Sequence, residues 1–237
     1  SDSVAGRIAF NYSDRVGYGD NTYNGEEFGA MDDLVVRGKL LFDFNEQFSM
    51  LVTADYAEGN SEGAGIEVLN STNTPMFEGR SMALYGASPV TEDSYDWTIH
   101  QSMNDEYKDE QQGLSFDINY EFANGLKLRS ITAAREWEAK SANGDVFTVA
   151  ELVPGTIDYK TDTLSQEFHL MSAGNETVDW MAGLFYYQED YDIDTSRDMG
   201  ESFCSPTIAA IAGPGFAGLC LANTQQGATV TTFTQEL

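Results

Sequence analysis

Ser165, Glu167 and His169 are the residues of this chain whose types suggest catalysis, because a serine, a histidine and a carboxylate form the nucleophilic triad of many hydrolases. They occupy every second position of the segment TLSQEFHLMS, so an extended strand places all three on one face. At about 3.3 Å per residue, however, Ser165 and His169 lie about 13 Å apart, which is beyond hydrogen-bond reach. We therefore expect that the chain is not an enzyme, and nothing in it points to a cofactor.

A second group of candidate residues is acidic. Asp192, Asp194 and Asp198 follow the spacing that opens a calcium-binding loop. The glycine that an EF-hand needs at its sixth position is Arg197 here, and the glutamate at its twelfth position is Phe203. The segment is therefore not an EF-hand, and two interpretations remain: a weak divalent-cation site and a solvated acidic rim.

The third group is aromatic and lies in a long acidic stretch from about residue 58 to residue 112. Tyr85, Tyr95, Trp97 and Tyr107 could stack on a ring-bearing ligand such as a sugar or a metal chelate. The other interpretation is that these rings pack the stretch against itself. We predict them as ligand contacts.

The elements that must position these residues are predicted from alternation. Between residues 34 and 56, apolar and polar residues alternate on both sides of the short break Asn45-Glu46-Gln47. This pattern is typical of a β-hairpin with one apolar and one polar face. Each arm has about nine to eleven residues, the length that a tilted strand needs to cross a bilayer. Similar patterns predict strands over 4–15, 113–122, 126–137 and 161–172, and from residues 178 and 227 onward.

Within 126–137 the apolar residues change parity, which predicts a β-bulge near Ser130. Elsewhere the two parities stay distinct. Seven basic residues fall on the polar parity, which is expected to line a wet interior: Arg7, Arg15, Arg37, Lys39, Lys127, Arg129 and Arg135.

The connections between the predicted strands are alternately long and short. Outer-membrane barrels show this alternation, because their short turns face the periplasm and their long loops face outside. The pattern favours apolar faces that contact lipid, whereas in a soluble β-sandwich the same faces would contact a protein core. Composition also limits the possible binding partners. A net charge of −27, from 39 acidic against 12 basic residues, excludes nucleic acid as a partner.

Four phrases in order resemble the barrel of TonB-dependent outer-membrane receptors. They are VRGKLLFDFNEQFSMLVTADY, LKLRSITAAREWE, TLSQEFHLMS and VDWMAGLFYYQED, and the opening GRIAFNYSDRVGYGDN is similar to an earlier strand and loop of these barrels. The resemblance covers most strands but not the long connections. It implies an all-β fold, an antiparallel transmembrane β-barrel segment with about eight strands of an expected total of about 22. Residues 1–237 would then be one partial barrel domain, with the plug domain and the remaining strands absent from this sequence.

The resemblance also implies a location and a role. The location is the bacterial outer membrane, with the long loops extracellular and with lipopolysaccharide and outer-membrane lipid around the barrel. The role is active transport of a scarce nutrient of the siderophore, cobalamin or oligosaccharide class, so a small-molecule or glycan ligand is expected. A TonB-type inner-membrane complex would supply energy through the absent plug. The alternatives are a passive porin-like or ligand-binding barrel without energy coupling, a complete barrel of eight strands, and a soluble glycan-binding β-domain.

Cys204 and Cys220 are the two cysteines of the chain. In the oxidising surroundings of an outer-membrane loop, a sole pair is expected to form a disulfide. The bond would close a loop of about fifteen residues and stabilise it by roughly 3 kcal/mol in the chain-entropy model. The alternative is a pair of free thiols.

Overall fold

The computed structural model of the chain describes residues 3–63, 65–67, 95–144, 149, 151, 153–174, 178–200 and 229–236, the last range as backbone only, together with the single positions 83 and 215. The secondary-structure elements assigned in this part of the chain are all β-strands. The strands are β1 Val4–Arg15, β2 Gly19–Asn21, β3 Glu26–Phe28, β4 Met31–Asn45, β5 Phe48–Ser61, β6 Thr98–Ile99, β7 Glu106–Glu121, β8 Lys127–Asn143, β9 Gly155–Met171, β10 Met181–Asp198 and β11 Thr229–Glu236.

Eight of these strands form one open antiparallel sheet in the order β1-β4-β5-β7-β8-β9-β10-β11. Consecutive strands run in opposite directions, so alternate connections emerge at the same end. The long connections 16–30, 62–105, 144–154 and 199–228 therefore share one end, called here the long-connection end, and the short ones share the other. No helix of the described residues is long and apolar enough to span a membrane.

All eight predicted strands of the sheet are confirmed, and most are longer than their apolar patterns suggested. The strand predicted over 113–122 begins at Glu106, and the one predicted from residue 178 continues to Asp198. The added residues are mostly polar and lie toward the long-connection end. Alternating hydrophobicity therefore marked only the part of each strand in which apolar and polar side chains alternate regularly.

The register assigns the two faces of the sheet. We call the apolar face the side that carries the alternating apolar residues, for example the row Leu40, Val52 and Phe116, which are cross-strand neighbours. Large side chains on this face are exposed: Ile8 and Phe10 by 78% each, and Leu184 by 68%. In the described part of the chain, therefore, no second sheet or helix covers this face.

The predicted bulge near Ser130 is wrong. Strand β8 pairs residue by residue with both β7 and β9, without a register shift. The pairing begins at Lys127, which lies opposite Glu121 on β7 and Met171 on β9. The change of parity is therefore a change of face: Leu128 lies on the apolar face, whereas Ile131 and Trp137 lie on the opposite, polar face. A change of parity arises either from a bulge or from apolar residues on the polar face of a regular strand. The sequence pattern does not distinguish the two, and for this reason the prediction was wrong.

The polar face carries charged side chains in pairs. The Nε and Nη2 atoms of Arg129 donate to the two carboxylate oxygens of Asp117, at 3.0 and 2.7 Å. Asp55 accepts from Arg135 at 2.8 Å and lies 3.7 Å from Arg37. The basic residues predicted on this parity are confirmed there by the register.

A smaller three-stranded sheet, β3-β2-β6, lies in the long connections. Its interior contains Phe28, Ile99 and the fully buried Asn21. The Nδ2 atom of Asn21 donates to the carbonyl oxygen of Gln101 at 3.0 Å and to Oδ1 of Asn104 at 2.9 Å, and its Oδ1 accepts from the Gln101 amide at 3.2 Å. One buried amide thus ties the first long connection to the second.

Candidate ligand-binding site

Of the aromatic residues predicted as ligand contacts, the three that the structure describes do not form one group. Tyr85 lies outside the described residues. Tyr95 and Trp97 are 79% and 55% exposed and border the small sheet, whereas Tyr107 lies on β7 in the large sheet. Both Tyr95 and Trp97 have positive φ, 66° and 61°, a conformation that is uncommon for bulky residues. Whether any of them binds a ligand stays a prediction.

Trp97 has packing partners of its own. Its ring meets Tyr18 edge-on with 5.3 Å between centroids, and Tyr18 in turn meets Phe28 at 5.5 Å. Its carbonyl oxygen accepts from the Asp20 amide at 2.9 Å. Trp97 therefore holds the second long connection on the first.

Two carboxylates in these connections have shifted pKa values. Asp96 accepts from the hydroxyl and the amide of Thr98 at 2.8 and 2.9 Å, and these bonds lower its pKa. Partial burial raises the pKa of Asp105, and the hydrogen bond from the Gly144 amide at 3.2 Å opposes that shift without cancelling it. Asp105 thus takes up a proton more readily than an ordinary aspartate does.

A cavity of about 600 Å³ opens on the polar face at the long-connection end. Its lining comes from six adjacent strands, β1, β4, β5, β7, β8 and β9. The floor consists of small residues where the strands pass beneath it: Ala57, Gly59, Ser61, Ala139 and Ser141. Because these side chains are small, the larger neighbours stand as walls around an open space. We call this space the polar-face cavity.

Three aromatic residues form part of the wall: Tyr107 on β7, Trp137 on β8 and Tyr159 on β9. The rings of Trp137 and Tyr159 are near parallel, with 6.0 Å between centroids and 28° between planes. Trp137 and Tyr159 were missed as candidates by sequence reasoning, which treated Trp137 as an ordinary apolar strand residue and ended a long connection at residue 160. Tyr107 was predicted, and it lies here rather than beside Trp97.

Two carboxylates of the polar face complete the wall, whereas the third carboxylate of the lining, Glu58, belongs to a strand position on the apolar-face side. Asp109 accepts from the Trp137 indole Nε1 and, at 3.0 Å, from Nε2 of Gln111. Asp33 accepts from the Ser13 hydroxyl at 3.3 Å. Asp33 and Asp109 flank Gly59 in one cross-strand row, and a Cβ atom at Gly59 would lie 2.8 Å from Asp33 Oδ1. Glycine therefore leaves room for the carboxylate at the floor of the cavity.

The other candidate chemistry of the sequence is not assembled in the described residues. No group of three or more His, Cys, Asp or Glu there is placed to hold a metal ion. Asp192 and Asp194 lie on the apolar-face side of β10, opposite Lys160 and Asp158 of β9. Asp198 follows a register shift in the pairing of β10 with β11. The weak divalent-cation site stays a prediction. Cys204 and Cys220 lie outside the described residues, and so does their predicted disulfide.

Ser165 has no base beside it. The residues directly opposite it on the two neighbouring strands are Ala133 and Tyr187. His169 Nε2 lies 3.2 Å from a carboxylate oxygen of Glu167 on its own strand. Neither residue paired with Ser165 across the sheet is thus a histidine or a carboxylate.

Comparison with known proteins gives one kind of likeness. No family model matches the sequence, and no curated protein matches it. Among solved structures, the chain is similar to one from the structure of the FpvAI–pyocin S2 complex, with a TM-score of 0.51 and 15% sequence identity. FpvAI is a TonB-dependent receptor. The match covers 83% of this chain and 25% of that chain, so this chain spans about a quarter of the length of its structural neighbour. At this identity the likeness shows the fold: an antiparallel sheet like part of a β-barrel receptor.

Proposed function

We propose that the chain is a segment of the barrel of a TonB-dependent outer-membrane receptor that imports a scarce nutrient. The observation that carries this proposal is the exposed apolar face on a sheet whose long connections all emerge at one end. The likeness of the sheet to part of a β-barrel receptor supports it.

The height of the apolar face fits a bilayer. On β7 and the turn that follows it, the alternating apolar residues run from Leu114 to Phe122. This run extends about 26 Å along the strand at 3.3 Å per residue, or about 20 Å along the membrane normal at a tilt of about 40°. Outer-membrane barrels have an apolar band about 25 Å tall.

Above this band the same face becomes charged. The positions that continue it toward the long-connection end include Gln112 and Glu110 on β7 and Asp190 and Asp192 on β10. Carboxylates are costly in hydrocarbon but not among lipid headgroups. The change from apolar to acidic residues supports an interface at these positions, and we propose that the long connections beyond it lie outside the cell.

Nitroxide labels on two adjacent residues of β10 test the membrane orientation. Leu184 lies on the apolar face and is 68% exposed, whereas Phe185 lies on the polar face and is 61% exposed. In the full-length protein in lipid, with Cys204 and Cys220 replaced by serine, a label at Leu184→Cys should collide with oxygen and be shielded from a water-soluble nickel chelate. A label at Phe185→Cys should show less contact with oxygen than the label at Leu184→Cys. Free access of the nickel chelate to position 184 would contradict the proposal.

Planar-bilayer conductance separates active transport from the passive porin alternative. A receptor with a plug should insert without opening a continuous ion path, whereas a porin should give large, stable conductance steps. Removal of the plug from the full-length protein should then create such steps. Large steps from the intact protein would favour the porin.

A further inference from the structure

We propose that the polar-face cavity binds an organic cation, so that the imported nutrient carries a protonated or quaternary amine. The claim that the ligand is imported rests on the proposed function, whereas the claim that the cavity binds an organic cation does not. Three observations carry it: the aromatic wall, the two carboxylates, and the position of the cations that border the cavity.

The aromatic wall lines a space that a small organic molecule fits. Cavities that bind such ligands typically measure about 300 to 1,000 Å³, and this one measures about 600 Å³. Tryptophan and tyrosine faces attract cations because their π electrons carry partial negative charge. The indole N–H of Trp137 donates to Asp109. The partial positive charge of this N–H is therefore directed at the carboxylate and not at the face of the indole ring.

The two carboxylates set the sign of the potential. Asp33 and Asp109 border the same floor, and their hydrogen-bond donors are the neutral groups of Ser13, Gln111 and Trp137. Neutral donors orient a carboxylate without neutralising its charge. The cavity therefore keeps a formal charge of −2 from these two side chains, which favours a cation over the anionic groups of many metal chelates.

The bordering lysines do not reverse that sign. Lys108 and Lys140 are the only cationic residues among the described residues that line the cavity. Their Nζ atoms lie 3.6 Å from Glu58 and 3.4 Å from Asp158, and both of these acids are on the apolar-face side of the sheet. The positive ends therefore point away from the polar-face cavity.

The surrounding charge also assists a cation. The chain carries 39 acidic residues against 12 basic ones. Such an excess raises the local concentration of cationic ligands and speeds their association, especially at low salt. The ring faces and the two carboxylates then select an amine over a simple metal ion.

A pair of isosteric probes tests the inference directly. Choline and 3,3-dimethyl-1-butanol have nearly the same shape, but only choline is charged. For the full-length protein in detergent, saturation-transfer NMR should show at least ten-fold tighter binding of choline at low salt, and the difference should shrink at about 0.5 M salt. Equal affinities for the two probes would overturn the proposal.

Matched variants locate the site. Asp109→Asn should weaken choline binding about ten-fold and leave the alcohol unchanged. Asp162→Asn removes the same charge from the opposite face of β9 and should change neither affinity by more than about two-fold. If both variants weaken choline equally, the effect comes from net charge and the cavity is not the site.

The ring face is tested by two substitutions of one residue. Trp137→Leu should weaken choline binding roughly three- to thirty-fold, whereas Trp137→Phe, which keeps a ring but loses the indole donor, should retain most of the affinity. Equal losses in both variants would assign the effect to the bond with Asp109 and remove the ring from the proposal. These measurements do not depend on transport, so the two proposals can fail independently. Loss of choline binding with lipid contact at Leu184→Cys would refute only the cation site, and choline binding without lipid contact would refute only the membrane orientation.

Discussion

Phe116→Arg tests the idea that the apolar face of the sheet contacts lipid. Phe116 lies on β7 between Leu114 and Ile118, and its cross-strand neighbours are Val52 and Thr132. Its side chain is 36% exposed. The substitution puts a guanidinium where that exposed ring area would meet acyl chains.

The expected cost has two parts. An exposed fraction of 36% of a phenylalanine side chain of about 200 Å² is about 70 Å², and its loss from lipid costs about 2 kcal/mol at 25 cal/mol per Å². An arginine near the bilayer midplane costs about 2 to 4 kcal/mol more. A total of roughly 4 to 6 kcal/mol is comparable with the whole stability of many proteins. Phe116→Arg should therefore assemble poorly.

Ser115→Arg is the matched control. Ser115 is the preceding residue on the polar face, opposite Thr53 and Ala133, with Asp117 two positions further along the same face. An arginine there stays on the polar face and should cost less than about 1 kcal/mol. Phe116→Leu keeps an apolar side chain and should also assemble normally.

The assay is the amount of heat-modifiable, protease-resistant full-length protein in the outer-membrane fraction. Phe116→Arg should reduce it at least several-fold, while Ser115→Arg and Phe116→Leu stay close to the unmodified protein. Normal assembly of Phe116→Arg would refute the lipid-facing orientation. Equal loss in Phe116→Arg and Ser115→Arg would show that the two faces do not differ in their surroundings.

Three further predictions concern the long connections. Asn21→Ala should leave the Gln101 carbonyl without its buried donor and cost about 1 to 3 kcal/mol locally, seen as faster hydrogen exchange across 18–30 and 97–104 while the large sheet is unchanged. Because burial raises the pKa of Asp105 above its ordinary 3.8, the folded state prefers the protonated form. The packing at Asp105 should therefore gain stability as pH falls through that raised pKa toward 3.8 and lose it as pH rises again, and Asp105→Asn should abolish the trend in exchange of nearby amides. An unchanged trend would assign it to another group. Alkylation of the denatured, unreduced protein should leave Cys204 and Cys220 unlabelled, and reduction should expose both; labelling before reduction would favour free thiols.

The sequence by itself determined the strands of the large sheet and the difference between its faces. Period-two alternation in segments such as 34–56 follows from the geometry of an extended chain, in which successive side chains point to opposite sides. That rule needs no tertiary information. It also placed basic residues such as Arg129 and Arg135 on the polar face, where the structure pairs them with Asp117 and Asp55.

The small sheet and the polar-face cavity were decided by tertiary structure alone. The small sheet joins residues about eighty positions apart, such as Asn21 and Gln101, through strands of two or three residues that are too short to show a period. The cavity needs the register of six strands, which brings Asp33, Asp109 and Trp137 to one end of one face. Alternation gives the face of a side chain but not its cross-strand neighbour, because register depends on pairing between strands far apart in the chain. The same limit made the bulge in β8 a wrong prediction, since only the pairing with both neighbours shows that Trp137 belongs to the polar face.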